Sequence, residues 1–378
     1  MSEVKASVCV ISDSNKLHEI EGTWNQLIGR CSKNPFLLSG FIKQFMEFNR
    51  SKRWVPLVLV ISVDNKIVGI SPLKIKRKFG VRFAKFLLNP WFSPDFIGDD
   101  QYREICLAYT LDFLFKTLRC QFVDLTLPAN SHNLRIIKQK CKTSKIYFYI
   151  KQETGHRILP VQCTWAEFET LKGRNFRRKF KRIERNLDRL GPWRITCAEN
   201  GKQEFDVIKK ILEIDKMSWK EELRTQRGIK IDSDLMMIWN GAQYMAQNEP
   251  DFKWSVWFLE LNDQKLAHIL IFHYQNVAYF AKTSYDERYK KFAPGLYVQN
   301  AAIRDLFNKS QVRRIDFLTA LPYHETWTSL CLPRVRIIIS HKSVLPTMIK
   351  FALLSKPVKG ILTLLSKRSP SIPDLIGL

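Results

Sequence analysis

Two stretches of the sequence carry residue types that suit a phosphate-bearing ligand. The first is RNFRRKFKRIERNLDRL, from Arg174 to Leu190, where Arg177, Arg178 and Arg182 stand in a run offset only by Glu184 and Asp188. So uniform a positive face attracts anionic groups. The second is Pro294-Gly295, which follows the extended run VAYFAKTSY and the polar loop DERYKKFA. Proline is pre-shaped for the first turn of a helix, and glycine lets a ligand come close to the backbone. The free N–H groups of a helix start then offer a place for a phosphate or pyrophosphate. Each feature also has a plainer reading: the solvated side of an amphipathic helix, and a helix start with no ligand.

These residues need elements to hold them. Trp165, Phe168, Leu171, Phe176, Phe180, Ile183, Leu187 and Leu190 recur mostly at steps of three or four, so the basic run reads as one amphipathic helix that ends at Gly191-Pro192. Residues 55–75 and 254–274 each read as an extended apolar run, a polar turn (Asp64-Asn65-Lys66; Asn262-Asp263-Gln264) and a second run. A hairpin that recurs about two hundred residues later, with helices on both sides, predicts a duplicated domain. Tight hairpins mixed with helices predict an α/β chain whose mixed sheets are covered by helices. The expected parts are a first domain over residues 1–160, a second over 161–340, and an amphipathic tail over 341–378 that caps the fold or rests on a membrane surface.

Composition narrows the function classes. The chain has 378 residues, 45% of them hydrophobic, and a formal net charge of +25. That charge suits RNA, an anionic membrane, an acidic carrier protein or a phosphorylated cofactor. No apolar run approaches the ~20 residues of a membrane span, and the first residues show no signal-peptide core, which predicts a cytoplasmic protein, with the membrane surface as the alternative. The cysteines are scattered without a CxxC pair, and no His, Cys, Asp or Glu cluster has metal-ligand spacing, so no metal is expected. His268 and His273 sit in an alternating strand and read as packed or surface residues.

Taken in order, RNFRRKFKRIERNL, DKMSWKEELRTQRG, LELNDQKLAHILIF, YFAKTSYDERYKKFAPG and IDFLTALPYHETW make residues 164–330 resemble the catalytic domain of the GNAT superfamily. The resemblance is to its two-domain branch, which holds the CelD proteins and the Fem-type aminoacyltransferases. Through NPFLLSGFIKQFME and KIVGISPLKI the first half resembles that branch's degenerate copy. The resemblance implies a sheet whose fourth and fifth strands splay into a V-shaped cleft. An acyl-coenzyme A, acetyl-CoA first of all, would lie there, its pyrophosphate at Phe292, Ala293, Pro294, Gly295 and Leu296. The usual glycine-rich loop is absent, because Leu296-Tyr297 stands where a second small residue would be. An acyl-carrier protein or an aminoacyl-tRNA therefore stays open as donor.

The implied reaction moves an acyl group to an amine, such as an amino sugar of a surface polysaccharide or the cell envelope. It needs a neutral amine, a donor for the oxyanion and a proton for the leaving group. The implied strand-end residues are Asp286 and Glu287 as base, Asp316 on the fifth strand, and Tyr323 or His324 as acid. The family often shows Tyr-Lys where this chain has Tyr323-His324, and a histidine there would titrate near neutrality. Arg177, Arg178 and Arg182 would face donor or acceptor phosphates. The rival is an RNA- or membrane-binding protein that keeps the fold without catalysis; DNA is not expected.

Overall fold

A computed structural model describes residues 6–341 apart from 79, 144–145, 201–203 and 219–230. The tail from residue 342 onward, and Trp219 and Gly228 of the DKMSWKEELRTQRG motif, lie outside the described residues. The first half starts with β1 (Ala6–Ile11), α1 (Glu21–Cys31) and α2 (Ser39–Ser51), then β2 (Val55–Val63), β3 (Lys66–Lys78) and β4 (Val81–Phe86). It continues with the two-residue β5 (Ile97–Gly98), α3 (Arg103–Asp112), β6 (Phe122–Pro128), α4 (His132–Thr143) and β7 (Ile146–Pro160). The second half holds α5 (Trp165–Asp188), β8 (Trp193–Glu199), α6 (Glu204–Lys216), α7 (Ile231–Asn248), β9 (Phe252–Leu261), β10 (Gln264–Tyr274) and β11 (Val277–Tyr285). Then follow α8 (Pro294–Lys309), β12 (Arg314–Asp316) and β13 (Cys331–His341).

Both hairpins are present, and their turns are alike. Asp64 and Asn65 join β2 to β3 at φ 48° and 63°, and Asn262 and Asp263 join β9 to β10 at φ 48° and 61°. Two successive left-handed residues make the turn that matches right-twisted strands, and Asn and Asp tolerate that conformation best after glycine.

The strands form one mixed sheet in the order β1-β2-β3-β4-β6-β13-β7-β12-β11-β10-β9-β8, with β5 against β3. Pairing is antiparallel except at β4–β6 and β11–β12, one parallel pair in each half. Two strands join the halves. β7 pairs with β13 up to Arg157 and with β12 over Ile158–Pro160. β13, late in the chain, lies between β6 and β7 and so completes the sheet of the first half. A shared core also spans the halves: Phe36, Phe41 and Phe92 pack with Phe252, Phe272 and Tyr279, the ring of Phe36 lying 5.9 Å from those of Phe272 and Tyr279.

Helix α5 departs from the sequence reading in one respect. Thr164 and Glu167 form a capping box at its start, and Phe176, Phe180, Ile183 and Leu187 are buried on the sheet with Leu259 and Ile269. Yet Gly173, at φ 82° and ψ −178°, breaks the helix, a conformation open to glycine and costly for any side chain. The break resets the helical phase, so Leu171 leaves the apolar stripe and stands 80% exposed.

Candidate active site

A gap opens in the sheet where β11 and β12 part. They pair only over Val277–Tyr279 and Arg314–Asp316. Beyond that point Phe280 and Phe317 face each other edge to face, ring centres 5.2 Å apart. On its other side β11 shifts register against β10: Phe280 pairs with Ile271 and Lys282 with Leu270, so Ala281 is an extra residue. Such a bulge increases strand twist and turns β11 away from β12. Among the described residues no strand covers the outer edge of β11 from Ala281 to Tyr285. Its peptide groups can hydrogen-bond the amides of an extended ligand, as an added strand would.

The open edge leads to the start of α8. Asp286 caps a short helical turn over Glu287–Phe292, and Ala293 then adopts the left-handed conformation at φ 52° before Pro294. No acidic side chain stands in the first turn of α8. A Cβ on Gly295 would fall 2.9 Å from the Tyr285 ring, so the close packing of strand end on helix start requires the glycine. Helix α5 lies alongside, held by Tyr297, which donates to Glu184 at 2.9 Å, and by Lys179, which donates to Thr326 at 3.1 Å. Arg177 is two helical turns before Glu184 and shares its flank, while Arg182 shares the flank of Lys179; Arg178 points outward between them. All three are exposed.

The loop after β12 brings Tyr323 to the same place. Its hydroxyl lies near Gln299 of α8 and Tyr285. The residue is 39% exposed, but burial of the hydroxyl pushes its pKa up to about 12. His324 is buried, its ring stacked on Phe317 at 4.6 Å and set against Tyr323 at 4.3 Å. Its Nδ1 lies 3.1 Å from the Thr319 carbonyl, which makes Nδ1 the protonated nitrogen and leaves the lone pair on Nε2. Burial lowers its pKa to about 4, so the ionisation near neutrality expected from the sequence moves well into the acid range.

The carboxylates differ in how much they have left to offer. Asp286 is buried, which raises its pKa, but the Arg288 side chain and backbone N–H hold it below the usual carboxylate range, with contacts of 2.6 and 3.0 Å. Asp316 is buried, accepts from Leu318 N at 2.8 Å and lies 3.1 Å from His156 Nδ1. Glu287 pairs with Lys290 at 2.7 Å, and its Oε2 is buried without a partner. Asp286 and Asp316 thus have structural work, and Glu287 retains an uncommitted oxygen.

Several residues here escaped the sequence reading. Arg157 of β7 binds Glu325 and donates to the carbonyls of Thr328 and Ser329 at 3.2 and 3.1 Å. Lys172 donates to the Trp327 carbonyl at 3.1 Å, and Trp327 donates to Gln299 at 3.3 Å. These bonds fix the loop that carries Tyr323 and His324. On the opposite face of the sheet His268 is fully buried 3.2 Å from Asp215, which also meets Lys282. Among the described residues no group of three or more His, Cys, Asp or Glu is placed to hold a metal ion.

Residues 174–326 match the family model described as the acetyltransferase (GNAT) domain. FemX shares the fold at a TM-score of 0.56 and 11% identity, over 90% of this chain and 99% of FemX. A conserved protein of unknown function from Bacteroides thetaiotaomicron does so at 0.56 and 10%, over 88% of this chain and all of that one. L-PGS from Bacillus licheniformis gives 0.53 and 8%, over 89% and 94%. No curated protein matches the chain in sequence.

Proposed function

Because residues 174–326 match the GNAT acetyltransferase domain model and the chain shares the fold of FemX, we propose that the protein is an N-acyltransferase that moves an acyl group, acetyl in the first place, from acyl-coenzyme A to an amine. The observation that carries this reading is the uncovered edge of β11 ending at a helix start free of acidic side chains. A pantetheine arm is a chain of amides that pairs with such an edge, and a pyrophosphate suits the helix start at Phe292–Leu296. Arg177 and Arg182, on the flanks of α5, supply positive charge on either side.

In the reaction the amine lone pair attacks the thioester carbon, a C–N bond forms, the C–S bond breaks, and the amine gives up a proton. Tyr323, with its pKa about 12, stays protonated through the working range and donates a hydrogen bond to the departing sulfur. His324 meets it edge-on and fixes the ring. Glu287 is the carboxylate left to take the amine proton, directly or through water. The acceptor class is an amino sugar or another small amine of envelope or surface-polysaccharide chemistry.

The charge of +25 and the exposed arginines favour a second reading, in which the acyl group arrives as the ester of an aminoacyl-tRNA. One experiment separates them: thermal melting of the full chain with acetyl-CoA and with aminoacyl-tRNA, followed by thiol release on adding a panel of amines. A ligand that binds only the folded state raises the melting temperature. Stabilisation by acetyl-CoA with amine-dependent thiol release supports the first reading, and stabilisation by aminoacyl-tRNA alone supports the second. Failure of both would leave the cleft without a transferase role.

A further inference from the structure

We infer that the outer face of α5, with the loop beside it, docks the protein on an anionic membrane surface. After the break at Gly173, Arg174, Arg178, Lys181 and Arg185 recur at steps of four, three and four, so they share one helical face, and all four are exposed. Among the described residues none of them meets a carboxylate within ion-pair distance. An unpaired stripe of this kind is rare on a surface kept only for solubility, where charges of both signs alternate.

Exposed apolar side chains accompany the stripe. Leu171 stands at the elbow made by Gly173, and Leu321, Leu330 and Trp91 are also exposed. Hydrogen bonds hold these residues to one loop. Lys172, next to Leu171, donates to the Trp327 carbonyl at 3.1 Å. Arg334 donates to the carbonyls of both Trp91 and Leu318, at 3.0 and 2.9 Å. Single exposed apolar residues need no explanation, but a group of them bordering an unpaired cationic helix face has the composition of an interfacial binding surface. Three of these four are leucines, and aliphatic side chains favour lipid over RNA, whose bases are read by stacking on aromatic planes. Among the described residues no helix is long and apolar enough to cross a membrane, so the contact is with the surface.

The test is sedimentation of the full chain with vesicles of phosphatidylcholine containing phosphatidylglycerol, beside vesicles of phosphatidylcholine alone. Binding to the anionic vesicles that weakens with salt is expected. Arg174→Gln/Lys181→Gln/Arg185→Gln should weaken it about 100-fold, since each cation at an anionic surface contributes about fivefold. Leu171→Glu should weaken it about tenfold, with unchanged melting temperature and unchanged transfer to a soluble amine. No binding to anionic vesicles overturns the inference. So does binding that both variants retain in full, which would place the contact elsewhere, residues 342–378 included. Loss of tRNA binding in the triple variant, with vesicles ignored by the parent protein, would give the face to RNA instead.

Discussion

The two halves build the same parallel strand pair and then treat its far end in opposite ways. In the first half the last paired residues of β4 and β6 are Ala84 and Val123. The next two, Lys85 and Asp124, bridge the gap with an ion pair at 2.7 Å, and Arg336 adds contacts of 2.7 and 2.8 Å to the same carboxylate. In the second half the last pair is Tyr279 with Asp316, and the next residues, Phe280 and Phe317, offer only ring edges. The helix starts differ in the same sense. Glu104 stands in the first turn of α3, just after Asp100, whereas the first turn of α8 has no acid. A carboxylate at a helix start takes up the favourable potential there and repels a phosphate. One fold thus yields a sealed gap and an open one through a handful of side chains, which is why function has to be argued from the site.

The sharpest way to break this comparison is to disable the open side. Tyr323→Phe removes the proposed hydrogen bond and keeps the ring, so kcat should fall about 10²–10³-fold with little change in melting temperature. An unchanged kcat would shift the work to Glu287 or to positioning alone. Gly295→Asp adds bulk against Tyr285 and a negative charge at the helix start. Donor affinity by calorimetry should fall about 100-fold, while Glu104→Gln in the first half leaves affinity and a single donor site per chain unchanged. Two donor sites in that variant would refute the division of labour.

Smaller effects test the packing on each side. His324 has a folded pKa of about 4. The unfolded value is about 6.5, so between these limits the unfolded chain binds a proton that the folded chain refuses. Stability should therefore fall as pH drops through that window, by about 2–3 kcal/mol at pH 4.5, and His324→Gln should remove this share of the loss in denaturant titrations. In the sealed gap, burial raises the Asp124 carboxyl, but Arg336 and Lys85 hold it below the usual carboxylate range. Asp124→Ala strands two cations that are 36% and 27% exposed, so it should cost about 2 kcal/mol, less than for a fully buried pair. Lys85→Met leaves Asp124 with Arg336 and should cost under about 1 kcal/mol. A drop in donor affinity from either change would show that the first gap also takes part.

What could be read from the sequence was whatever local pattern specifies. The hairpin turns at Asp64-Asn65 and Asn262-Asp263, the helix opening at Pro294 and the buried face of α5 all follow from short-range spacing and residue type. Gly173 was legible as a glycine but not as a break, because a lone glycine is tolerated inside a helix and only its φ reveals the difference. The partners of the site were not legible at all. Arg157 meets Glu325 across 168 positions of sequence, and Asp316 meets His156 on another strand. Nor could periodicity foresee the bulge at Ala281, since a bulge is set by how two strands twist together. The His324 environment likewise depends on Phe317 and Thr319 folding over it.

The placement of β13 has a consequence for how the chain is made. β6 ends at Pro128 and its neighbour β13 begins at Cys331, so this contact closes a loop of about two hundred residues, among the slowest events in a folding pathway. During synthesis the first half emerges with the facing edges of β6 and β7 unfilled, and it keeps them so until the second half has left the ribosome. Unfilled edges invite pairing with other nascent chains. This late strand therefore acts as a lock on a half made much earlier, and a chain released before residue 331 would carry a finished cleft between β11 and β12 on an unfinished body.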